Sequence, residues 1–146
     1  MKKLLITTLL LSALSLSNAV IAETNIAVVD VQAVVAKSAQ VSALKKEQQK
    51  KMQDLDKWLK TARADVEKQK TQEGKDKLLK KYNSEFATKK ETIAKDYQTK
   101  LSAIDKSITS TIETKAKALG YDMVISKGMV ICGGDDITSE IQKIVK

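Results

Sequence analysis

Histidine and proline are absent from this 146-residue chain, and cysteine, tryptophan and phenylalanine occur once each. Without histidine there is no imidazole zinc ligand, no Ser–His or Cys–His nucleophile pair and no imidazole proton shuttle. A single Cys132 makes neither an internal disulfide nor a multi-cysteine metal cluster. Neither GxxxxGK[ST] nor GxGxxG occurs, so both common phosphate-cradling loops are missing. Arginine is scarce too: Arg63 is the one arginine among 26 basic residues, which removes the forked side chain suited to bidentate recognition of phosphate or guanine. The few aromatic residues make no platform for stacking bases. What the chain has is lysine, with a formal charge of +8. It reads as a binding or structural protein with no catalytic residue, no cofactor, no metal site and no nucleic-acid partner.

Lys2 and Lys3 make a basic start, residues 4–16 are mostly apolar, and small residues at Ala22 and Ala19 fit a cleavage site. This is the three-part pattern of a secretory signal peptide. The apolar run is shorter than the ~20 residues that span a bilayer. Cleavage after Ala22, with Ala19 as the alternative, leaves a soluble product of charge +6 in an oxidising compartment. The simplest such compartment is a bacterial periplasm, which has no ATP supply.

With no proline, five glycines do the punctuating: Gly74, Gly120, Gly128, Gly133 and Gly134. The stretches on either side of Gly74 are rich in good helix formers. They predict a helix over 38–70 with Ser38 as N-cap, a turn at 71–74, and a second helix over 76–119 stopped by Gly120. At ~1.5 Å per residue these are rods of roughly 50 and 65 Å, folded antiparallel by their short link. One continuous helix through Gly74 is the alternative, since a mid-helix glycine costs only ~1 kcal/mol. Residues 26–29 predict a buried strand, and Asp30 caps a short helix over 31–36. Residues 121–126 and 129–132, around Lys127-Gly128, predict a β-hairpin. Asp136 or Thr138 caps a last amphipathic helix carrying Ile137, Ile141, Ile144 and Val145. The expected fold class is α+β: a long antiparallel helical hairpin over 42–120, with its tip near 71–75, inserted in a small β body made by 23–41 and 121–146.

Met52, Leu55, Leu59, Ala62 and Val66 are spaced by threes and fours, a heptad seam. The returning helix carries Leu79, Tyr82, Phe86, Ile93, Tyr97, Leu101, Ile104, Ile108 and Ile112, interrupted at Lys89 and Lys90. Most of both stripes, and Trp58 one step off the seam, are expected to pack rod on rod. Residues 42–120 hold 20 basic and 12 acidic side chains, whereas 23–41 and 121–146 each sum to −1. All the excess positive charge lies on the rods. Lysine is a mobile point charge that favours diffuse attraction, and a merely solvated face is the plainer account of the same charge.

The body comes to 45 residues, and one that small rarely buries enough apolar area to stand alone without staples. Yet its strands are apolar on both faces and need cover on both. Self-association is the economical answer, with Ile26, Val28, Val29, Met123, Val124, Ile125, Val130 and Ile131 as a core shared between copies and the rods projecting from it. Cys132, in the second hairpin strand, is expected as a buried thiol, with an exposed, oxidisable thiol as the rival.

The start Ile26-Ala27-Val28-Val29-Asp30-Val31-Gln32 and the end Tyr121-Asp122-Met123-Val124-Ile125, then Met129-Val130-Ile131-Cys132-Gly133-Gly134-Asp135-Asp136-Ile137-Thr138, resemble the Skp/OmpH family of periplasmic chaperones. Asp136-Ile137-Thr138 before the last helix is the most typical detail. So is the order of leader, strand, Lys-rich helical hairpin, strands and short helix. The resemblance implies a homotrimer in which three bodies build a barrel-like core and three arms enclose a cavity for unfolded outer-membrane proteins, without catalysis or nucleotide. Cys132 departs from it, at a position where the family often has an aromatic residue. The candidate client contacts are diffuse: Leu55, Leu59, Tyr82 and Phe86, with Lys57, Lys60, Lys77 and Lys81. A weak contact with an anionic membrane surface is a further expectation. A structural coiled-coil spacer in the envelope and a nonspecific polyanion binder are the rival readings.

Overall fold

The computed structural model describes residues 24–145; the expected leader over 1–22 lies outside them. Strand β1 (Ile26–Val29) runs into helix α1 (Val31–Lys37), and the Asp30 side chain accepts the Ala33 amide at 2.9 Å as its N-cap. Ser38 has extended backbone angles and is buried, so the chain turns there out of α1 and into α2 (Ala39–Glu67). Its hydroxyl accepts the Val41 amide at 3.3 Å, the cap expected of it.

Helix α3 (Gln72–Ala118) begins four residues earlier than expected. Thr71 Oγ1 accepts the Gly74 amide at 3.2 Å, so Gly74 sits in a capped first turn and not in the link. Gly120, at φ +85, ends the helix. The Tyr121 amide donates to the Ala116 carbonyl and the Gly120 amide to that of Lys117, which closes a Schellman motif. The two helices have 29 and 47 residues, or about 43 and 70 Å at the usual rise.

The expected β-hairpin over 121–132 does not form. Strand β2 (Met123–Ser126) lies parallel to β1, in register from Ile26 opposite Met123 to Val29 opposite Ser126. Strand β3 (Asp135–Asp136) pairs parallel on the other edge of β1, giving the order β2-β1-β3. The helical hairpin is thus the crossover that parallel pairing demands. To place strands on both edges of β1, residues 127–134 must cross the sheet instead of folding back on β2. Residues Lys127–Met129 make a 3₁₀ turn, and Val130, Ile131 and Cys132 belong to no strand. Ile131 is fully exposed, Met129 is 80 % exposed, and Cys132 is exposed and not the buried strand thiol expected. Gly133 and Gly134 turn the crossing chain at φ +84 and +80. A Cβ on Gly134 would stand 2.6 Å from Val28 Cγ2, so glycine is required where the loop passes the central strand.

The core lies on one face of the sheet. Ala27 and Val29 pack there with Val34 of α1, with Ile108, Ile112 and Ala116 from the last turns of α3, and with Ile137 and Ile141. Helix α4 (Thr138–Gln142) closes this face. Asp136 accepts the Thr138 amide at 3.0 Å, and the Thr138 hydroxyl accepts the Asp30 amide at 2.9 Å, tying the helix to the end of β1. The body therefore draws on α3 as well as on the two chain ends. By strand alternation the opposite face carries Ile26, Val28, Met123 and Ile125. Val28 is covered by the Gly134 segment, whereas Met123 is 51 % exposed.

Candidate functional site

Along the rod, α2 and α3 are sewn together unevenly. Near the body Leu44 is buried on α2 and Ile108 on α3; further out Leu55 and Ala62 are buried. Between these levels sits a polar clamp that the apolar spacing did not reveal. Lys51 bridges Glu47 at 2.7 Å on its own helix and Asp96 on the other; Lys100 bridges Asp96 at 3.2 Å on its own helix and Glu47 across the gap. Hydrogen bonds from Lys100 and then Lys51 hold the Glu47 carboxyl below its ordinary value, and Lys51 and then Lys100 do the same for Asp96. Both ammonium groups are raised in return, Lys51 chiefly by Asp96 and Lys100 chiefly by Glu47. The signal for the clamp was present: an acid and a lysine four apart on each helix, at facing levels.

Towards the tip the fastening is aromatic. Trp58 stacks on Phe86 with ring centroids 6.5 Å apart and meets Tyr82 edge-on at 5.7 Å. Lys89 lies 5.2 Å from the Trp58 ring centre, and Lys90 5.5 Å from that of Phe86. The Tyr82 hydroxyl donates to Asp65 at 3.2 Å, and burial, then that carboxylate, pushes its pKa up.

The two flanks of the rod differ. One holds a groove of about 490 Å³ lined by the charged Lys51, Asp54, Lys89 and Asp96, by Thr88 and Thr92, and by the apolar Leu55, Trp58 and Ile93. The other holds two pockets, of about 410 and 420 Å³, that share Leu59 and Phe86 and so form one strip. Leu79 and Val66 lie at its tip end, and Met52, Tyr97 and Gln48 at its body end. Met52 is 53 % exposed, Leu79 45 % and Tyr97 39 %, too much for residues whose whole task is rod packing. The Gln48 side-chain nitrogen is covered and has no acceptor.

Of the candidate client contacts, Leu55 is buried between the helices, while Leu59, Tyr82 and Phe86 are half-buried and Lys57, Lys60, Lys77 and Lys81 are exposed. All four apolar candidates line the apolar strip, Leu55, Leu59 and Phe86 towards the body and Leu59, Tyr82 and Phe86 towards the tip; the four lysines do not line it. Met52, Leu79 and Tyr97 belong to the strip as well. The sequence had placed them in the seams, because helical spacing alone does not separate the centre of a seam from its flank.

Of the residues expected to form a shared core, Val28 and Val29 are buried within one chain. Ile26, Val124, Ile125 and Val130 are partly buried, and Met123 and Ile131 are exposed. Among the described residues no helix is long and apolar enough to cross a membrane.

A family described as outer membrane protein (OmpH-like) matches residues 25–145. No individual characterised protein matches the chain. The family match takes in the central strand, both long helices, the crossing segment and α4. A match over so much of the chain means that it belongs to the OmpH-like family.

Proposed function

We propose that this chain is an ATP-independent periplasmic holdase that keeps unfolded outer-membrane proteins from aggregating, and that it acts as a homotrimer with its arms around a shared cavity. The OmpH-like family is one of periplasmic chaperones that bind outer-membrane proteins. The observation that carries the reading for this chain is the arm: a paired-helix rod with all of the molecule's excess positive charge and an apolar strip left open on one flank. An unfolded barrel protein exposes alternating apolar side chains and unpaired strand backbone, which drive aggregation. A partner that binds only the unfolded state lowers its free concentration by mass action, with no energy source. Lysines attract an acidic chain at long range and leave it mobile.

In this reading the leader over 1–22 is removed on export. The body then assembles through the sheet face bearing Ile26, Met123 and Ile125, together with Met129 and Ile131 from the crossing segment. The arm, 42–120, is the client-holding part. The test is light scattering from a urea-denatured outer-membrane barrel protein diluted into the mature chain. Suppression is expected at one trimer per client, weakening as salt is raised. No suppression at that ratio overturns the holdase and leaves a structural spacer.

A further inference from the structure

We propose that each single arm carries its own client-binding groove, the apolar strip between α2 and α3 on the flank of Met52, Leu59, Phe86 and Tyr97, and that it takes an extended, acidic segment of unfolded polypeptide. This rests on the holdase reading and locates its contact. The binding surface is then the inside of one hairpin, in addition to any space enclosed between arms.

Three observations support the assignment. The strip is open where a seam should be closed: Met52, Leu79 and Tyr97 are each more than a third exposed, beside the half-buried Leu59 and Phe86. Such residues are held in place by the rod without being consumed by it. The strip also has the right length. From Met52 to Val66 it follows α2 for about 21 Å, room for about six residues of extended chain with three side chains on the groove side. Finally, the charge of the arm as a whole selects the occupant, the strip's own charged lining being balanced. Arg63 and Lys90 line the strip with Asp56 and Glu67, and the arm around them has 20 basic against 12 acidic residues. The arm of a second copy carries the same excess and is repelled; an acidic polypeptide is attracted.

The walls of this groove are helices, whose backbone groups are already paired. They grip side chains and offer no strand edge, so a bound segment gains apolar cover without being templated into a sheet.

The test compares two variants of the mature chain that leave charge unchanged. Met52→Gln/Leu79→Gln/Tyr97→Gln polarises the strip at its exposed residues, and Thr88→Gln/Thr92→Gln alters the opposite flank. The probe is a fluorescent peptide of alternating Leu and Thr with Asp at each end, read by anisotropy, with mass measured in solution and scattering of the barrel protein in parallel. The strip variant is expected to weaken peptide binding about tenfold and the other variant less than about twofold, at unchanged mass. Equal effects from both flanks, or no effect from the strip, overturn the groove even where the unaltered chain suppresses aggregation. A change of mass in the strip variant alone also overturns it, by making the strip a contact between copies. Failure of the unaltered chain to suppress aggregation overturns the holdase reading instead, and peptide binding then still judges the groove.

Discussion

Gly128 and Gly134 lie six residues apart in the crossing segment and answer substitution differently. Gly134 has φ +80 and no room for a Cβ beside Val28, whereas Gly128 has nothing within 4 Å and no positive φ. Gly134→Ala is expected to cost at least ~1–3 kcal/mol from backbone strain alone, and Gly128→Ala to stay within about 0.5 kcal/mol; thermal melting of the two variants checks both. Asp136 is a second residue with a defined task. The Lys127 ammonium at 2.7 Å, followed by the Thr138 hydroxyl and amide, holds its carboxyl far below the usual carboxylate range. It stays ionised in any mild acid and keeps α4 joined to the sheet. Cys132 is exposed in the single chain and is expected to react at once with a thiol reagent in the dissociated protein. Slow labelling of the assembled protein would place the crossing segment at the contact between copies.

At the scale of elements the rod is held by the clamp of Glu47, Lys51, Asp96 and Lys100. The two carboxyls lie below their ordinary values of 4.5 and 3.8, and the ammonium groups above 10.5. Lowered carboxylates contribute stability that is whole above the ordinary value and lost as pH falls through the lower, folded one. Raised lysines contribute stability that is whole below 10.5 and lost as pH rises through their higher values. The protection factor of α2 amides near Lys51, that is, exchange corrected for its intrinsic dependence on pH, is therefore expected to be insensitive to the clamp between about pH 5 and pH 10 and to fall in stronger acid. Because the four side chains are roughly a third exposed, added salt should lower it at neutral pH. Most elements were legible in the sequence because their signals are local: Asp30, Ser38 and Gly120 act within four residues of where they stand. The sheet was not. Residues 129–132 have the composition of a strand, but pairing is decided by which edge of β1 is free, and β1 lies about a hundred residues away in sequence. The clamp and the open strip were half-legible. Each helix showed its pairs and stripes, but the rotation of one rod against the other, which decides centre from flank, is a tertiary quantity.

For the whole molecule the decisive quantity is how many chains form one particle. The sheet face of Ile26, Met123 and Ile125, with Met129 and Ile131 beyond it, is apolar surface of the kind that marks an interaction site. Met123→Asp/Ile131→Asp is expected to reduce the proposed trimer to single chains while the helical signal of the arm persists, as read by solution mass and circular dichroism; an unchanged mass would remove that face from the assembly. The arm itself has an uneven root. Helix α3 runs unbroken from Gln72 at the tip to Ala116 inside the core, whereas α2 reaches the body through the bend at Ser38. Mechanically this is a cantilever with one spar and one strut. A sideways load at the tip reaches the hub chiefly through α3, with α2 bracing it where Val41 meets the core, so the stiffness of the arm is set where Ile108 and Ile112 are clenched, some fifty ångströms from the tip (about 1.5 Å for each residue back to Gln72).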